Sequence, residues 1–322
     1  MPMKTAEKKL ILPIICLLAV LAALSFLPKE GESAPFAIEF GGGSYFPLGD
    51  GFCAINSGGI SAYTAEGESL FSEARAFDTR FCAGDGGRIA VLSEREVALY
   101  TAEGCQGSID APGKVLALAV RGEYMAVAAE DSMYASAVTF YEGTEPLFTR
   151  YLAGGECREL LLGDGYAVLL LPNELQIVAG IDEPARIAFE CGQKLLPTEK
   201  GFCVQTENAL MFFSPRGEMW GAFENEFLDA HSFGDCLILL THEGAISLDS
   251  RGNMLGKFQS KRILRLGSGV YPSVIMGEKT FVFDSKMELL YSIENKYIPL
   301  SVITDKGSAL LCWQRAAQEH RK

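Results

Sequence analysis

Two stretches decide the fold: FSPRGEMW at residues 213–220 and LDSRGNML at 248–255. Each is an apolar residue, a short polar link closed by a glycine, and an apolar or aromatic residue three places further on. Glycine and small polar residues between two apolar runs mark a β-hairpin. The unit recurs as YTAEGESL (63–70), YTAEG (100–104) and YEGTEPL (141–147). It recurs again as FDSKMELL (283–290), where Met287 replaces the glycine. The copy around Gly180–Pro184 is the most degraded.

A second set of turns keeps its own phase. It falls at Gly49–Gly51, Asp85–Gly87, Arg121–Gly122, Gly163–Gly165, Lys200–Gly201, Phe233–Gly234, Gly267–Gly269 and Lys306–Gly307. Successive sites lie about 34 to 42 residues apart, the period of a four-stranded propeller blade. Between the turns run short segments rich in Val, Ile, Leu, Phe and Tyr, with no sustained helical period. A lone four-stranded sheet cannot bury both faces, whereas radial repetition of it can. The expected class is therefore all-β, a propeller of four-stranded antiparallel blades.

The aromatic-x-x-x-Gly-x-x-apolar hairpin resembles the repeats of WD40-like and quinoprotein-like propellers, and Gly217–Trp220 is similar to the quinoprotein Gly-Lys-x-x-Trp pattern. The overall plan also resembles a domain-of-unknown-function family of bacterial single-pass proteins that carry such propellers, which implies no activity. A quinoprotein dehydrogenase would add a repeated tryptophan and acidic calcium ligands, and this chain has only Trp220 and Trp313. No cofactor is expected. Seven full units fit from Tyr45; Ile298–Trp313 supplies two further strands and Phe36–Phe40 one more. The resemblance implies that chain ends pair within one blade to close the ring. Eight blades are expected, the last built from both termini, or seven if the terminal pieces only cap.

The N-terminal run LILPIICLLAVLAALSFL, residues 10–27, is apolar throughout. At 1.5 Å per residue it covers about 27 Å, enough for a bilayer core. Lys4, Lys8 and Lys9 precede it with only Glu7 opposed, which places the N-terminus in the cytoplasm and the propeller outside. No small-residue cleavage site follows, so a retained anchor is favoured over a cleaved signal peptide. The expected organisation is a stub (1–9), a transmembrane anchor (10–27), a linker (28–35), a propeller (36–315) and a disordered tail (316–322).

A net charge of -13 repels phosphate backbones, so nucleic acid is not an expected partner. The densest basic cluster, Lys257, Lys261, Arg262 and Arg265, reads as a solvated face. Cys53, Cys203 and Cys236 each follow a turn glycine by two residues in different blades. Sheets pack about 10 Å apart and a disulfide needs Cα atoms within roughly 7 Å, so these three should stay unpaired. Cys157 and Cys191 are the one pair left open to bridging. The histidines His231, His242 and His320 form no metal-ligand spacing, and no nucleophile elbow is present. Asp50, Asp85 and Asp164 sit in turns, where a carboxylate caps its own backbone. Gly41–Gly43 lacks the Lys-Ser/Thr of a phosphate cradle and is expected to be a flexible entry to the ring.

No catalytic, cofactor-binding or metal residues are expected. The leading expectation is a membrane-anchored, extracytoplasmic module that binds an envelope or membrane protein, or an envelope polymer. The rivals are a hydrolase or lyase using carboxylates around the central channel, and a small-ligand sensor coupled to a membrane partner.

Overall fold

The computed structural model describes residues 33–321. The expected stub, the anchor and most of the linker lie outside them. Among the described residues no helix is long and apolar enough to cross a membrane.

Eight antiparallel sheets follow one another along the chain. Blades 1 to 7 span residues 44–74, 78–110, 115–152, 159–188, 194–224, 229–259 and 265–294. Each has four main strands, called here a to d from the ring centre outward. Burial follows from their positions. In blade 6, strand b (Cys236–Thr241, CLILLT) is buried at every residue, because a blade packs on each of its faces. Strand d of the same blade (Met254–Gln259) alternates exposed and half-buried residues, as expected at a solvated rim. Each core cluster mixes residues of two successive blades; Phe233 and Ile238 of blade 6, for example, pack with Val274 and Phe283 of blade 7.

Blade 8 is built from both ends of the chain. Its strands are Ser301–Thr304, Ser308–Cys312 and Ala316–Arg321, and the outer position is taken by Phe36–Ala37. Phe36 pairs with Ala317 and Ala37 with Ala316. Residues 316–321, expected as a tail, are therefore a strand. They look polar because only one face is covered: Ala317 and Glu319 are buried while Arg321 is exposed. The buried Glu319 carboxylate accepts a 2.9 Å bond from Arg321 Nε, and Arg321 Nη2 reaches Glu66 of blade 1 at 2.7 Å.

Two more expectations are corrected. The glycines at 41–43 are not a loose entry. A β-carbon on Gly43 would lie 2.0 Å from the Ile55 carbonyl oxygen, a distance only glycine permits. The Gly42 N–H donates to the Tyr45 hydroxyl at 2.7 Å, and that hydroxyl donates to the Trp313 carbonyl at 2.7 Å. The turn at Gly267–Gly269 is not a simple hairpin either. Ser268 and Gly269 pair in parallel with Ile303 and Thr304 of blade 8, on the axis side of that blade's innermost strand. The buried Thr304 hydroxyl bonds Ser268 and Tyr271 there.

Candidate functional site

The repeated hairpin between strands c and d ties neighbouring blades together. Its second residue caps the turn: Ser214 Oγ accepts from the Arg216 and Glu218 amides, and Asp249 Oδ1 from those of Arg251 and Asn253. The hairpin then docks on the preceding blade. Gly217 of blade 5 has φ of 86°, and a β-carbon there would lie 2.5 Å from Ile177 Cδ1 of blade 4. Gly252 of blade 6 sits in the same way on Phe212, and Gly67 of blade 1 on Phe36 of blade 8. In blade 7, Met287 takes the position at φ of 63° and is buried in the blade 6 cluster that includes Cys236 and Ile238.

Blade 4 breaks the pattern. The aromatic residue is replaced by Val178 and the capping residue by Ala179, which has no side-chain oxygen to close the turn. A β-carbon on Gly180 would meet nothing within 4 Å. Arg150 of blade 3 holds the hairpin through the Ile181 and Asp182 carbonyls, and a groove of about 300 Å³ lies between the two blades. Phe140 and Phe148 of blade 3, stacked at 4.6 Å, and Leu162 and Val178 of blade 4 line it. Tyr124 and Leu147, at its mouth, are 52% and 49% exposed. Ile181, at the tip of the hairpin, is 81% exposed. Burying such side chains is worth roughly 25 cal/mol per Å² of apolar area removed from water. The groove is thus an apolar hollow at this junction, beside a turn glycine with open space around it, as Gly143 of blade 3 also has.

The degradation of the fourth repeat around Gly180–Pro184 was visible in the sequence. The groove beside it was not, because its aromatic side chains belong to the previous blade.

A second feature lies on the inner strands. Glu159 (blade 4), Lys194 (blade 5), and Asp229 and His231 (blade 6) occupy strand a of successive blades. Burial pushes the Glu159 carboxyl above its ordinary value, with Lys194 opposing. Burial also pushes Asp229 up, but the His231 bond and the nearby Lys194 charge outweigh it and hold the carboxyl below its ordinary value. His231 Nε2 lies 3.1 Å from Asp229 Oδ2, and its Nδ1 donates to the Gly267 carbonyl at 3.0 Å. The two carboxyls stand on blades 4 and 6, with Lys194 of blade 5 between them and acting on both.

The remaining sequence-singled residues fall as follows. Among the described residues no group of three or more His, Cys, Asp or Glu converges on a metal position. His242 lies in the b–c turn of blade 6 and lines a separate pocket with Glu243 and Lys257. His320 lies in the strand Ala316–Arg321, its ring stacked on Tyr291. Asp85 caps its own turn and also accepts from the Gly122 amide of blade 3, whereas Asp164 pairs with Arg121 of blade 3 at 3.0 Å. The eight described cysteines are all free, so Cys157 and Cys191 do not bridge. Burial raises the Cys82 and Cys157 thiols to about 12 and Cys236 to about 11.

No protein-family model and no curated protein matches this sequence. Among solved structures the chain is similar to BamB from Moraxella catarrhalis, at 10% identity and a TM-score of 0.61, covering 90% of this chain and 99% of that one. It is similar to Sqt1 of Saccharomyces cerevisiae at 12% identity and a TM-score of 0.63, covering 91% and 99%. For AztD of Citrobacter koseri the values are 11% and 0.60, covering 81% and 88%. Likeness at this level extends to 820 chains, so it carries a fold and no particular activity. The chain has the fold of an eight-bladed β-propeller of four-stranded blades.

Proposed function

We propose that this protein is a non-catalytic docking module, held at a membrane by residues 10–27 with its propeller outside the cytoplasm, and that it receives an envelope or membrane partner in the groove between blades 3 and 4. The observation that carries the reading is the groove itself, where Tyr124 and Leu147 stand exposed beside Phe140 and Phe148. Contiguous exposed apolar surface on a rigid scaffold supports a binding role. The test is crosslinking in intact cells, then purification of the full-length protein and mass spectrometry. One stoichiometric envelope protein, lost in Leu147→Asp, is the expected result. Enzyme-like turnover by the purified protein would sink the reading.

The second reading is a hydrolase or lyase at the ring centre. It is favoured by the oppositely displaced Glu159 and Asp229 with Lys194 acting on both. Activity against a candidate substrate that Asp229→Asn removes and Leu147→Asp spares would establish it.

A further inference from the structure

The groove has a charged rim as well as an apolar floor. Glu123 adjoins Tyr124. Glu142 and Glu145 close the blade 3 hairpin beside Tyr141 and Leu147. Asp164 lies between Gly163 and Gly165, and Asp182 and Glu183 follow Gly180 and Ile181. All six carboxylates are exposed. Glu142 stands directly across the sheet from Tyr124, so the acidic and aromatic positions share one edge of the groove. The nearby cations are already engaged. Arg121 pairs with Asp164 at 3.0 Å and Arg88 with Glu123 at 3.6 Å. Arg150 Nη2 donates to the Ile181 and Asp182 carbonyls. The local excess is negative, as is that of the whole chain at -13.

The occupied junctions indicate the shape that fits. Between blades 4 and 5, and between blades 5 and 6, the equivalent space is filled by a tight turn whose glycine backbone lies on the apolar side chains of the earlier blade. Resting on the docking role argued above, we propose that the groove takes a polypeptide turn that presents apolar side chains flanked by lysine or arginine, donated by a partner protein. The aromatic floor supplies burial for the apolar side chains, and the acidic rim supplies attraction and register for the basic flanks.

Fluorescence anisotropy on the full-length protein in neutral detergent tests this. The probes are short labelled peptides sharing one Ile-Gly-Phe turn, with Lys, Ser or Glu flanks. The Lys-flanked peptide should bind at least roughly tenfold tighter than the Glu-flanked one, with the margin shrinking as salt is raised. Glu142→Lys with Glu145→Lys should reverse the order. Leu147→Asp and Tyr124→Asp, both at exposed positions and each checked for an unchanged melting curve, should abolish binding. Equal binding of all three flanks, or binding that survives both groove variants, overturns the proposal. A dimer in sedimentation that Leu147→Asp disperses also overturns it, because the occupant would then be a second copy. If no peptide binds but a crosslinked partner is still lost in Leu147→Asp, this proposal falls and the docking role stands. If that partner is retained, both fall.

Discussion

A β-carbon placed on Gly217 would lie 2.5 Å from Ile177 Cδ1 of the blade before it, whereas at Gly180 the same added atom would meet nothing. Both glycines have positive φ, 86° and 69°, so alanine carries the left-handed penalty of about 1 kcal/mol at either place. Only at position 217 does it also collide with the neighbouring blade, which adds about 1–3 kcal/mol. Gly217→Ala should therefore destabilise clearly more than Gly180→Ala in urea unfolding. Equal losses would mean that position 180 is packed as tightly as position 217.

Closure of the ring rests on residues 316–321. Removing residues 316–322 takes away the third strand of blade 8 and leaves Phe36 and Ala37 without a partner. Thermal unfolding should drop by roughly 10 °C or more, or lose its single cooperative transition. An unchanged transition would return these residues to the status of a tail.

The inner-strand carboxyls have opposite pH signatures. Asp229 is held below its ordinary value in the fold, so its stabilisation is present above that ordinary value and is lost as pH falls through the folded one. Glu159 is raised, so its contribution is fully present below its ordinary value and is lost as pH rises through the folded one. Urea midpoints measured from acid to neutral pH should show both effects. Asp229→Asn should flatten the acid limb, and Glu159→Gln should remove the loss on the rising side. A Glu159→Gln curve parallel to that of the unchanged protein would rule out the raised carboxyl.

Thiol labelling should separate the cysteines into two classes. Cys105 and Cys191 are exposed, whereas Cys53, Cys157, Cys203, Cys236 and Cys312 are buried. The thiolate is the reactive form, and burial raises the thiols of this second group. Among peptides from residues 33–321, native alkylation should mark the first pair rapidly and the buried group only after denaturation. A linked Cys157–Cys191 peptide would contradict the free thiols.

Most of the architecture was legible because it is local. The hairpin FSPRGEMW and its copies set the position of each c–d turn, and the second turn series sets the blade period. Even the two-ended last blade followed from counting units, although its third strand did not. Ala316–Arg321 has the polar surface of a strand covered on one side, and its charged residues Glu319 and Arg321 satisfy each other. Such mutual pairing cannot be told from a solvated tail by composition.

By itself the sequence determined the repeat, the turns, the all-β class and the isolation of Cys53, Cys203 and Cys236, because propensity, turn chemistry and period act over a few neighbouring residues. Only the tertiary structure decided which side chains line the groove between blades 3 and 4, where Ser268 and Gly269 pair, and that Glu159, Lys194, Asp229 and His231 share the inner wall. The physical reason is distance along the chain. Phe140 and Phe148 of blade 3 meet Val178 of blade 4 along one groove, and His231 finds its carbonyl at Gly267. These partners meet only when whole blades pack, and no local pattern records whether they fit.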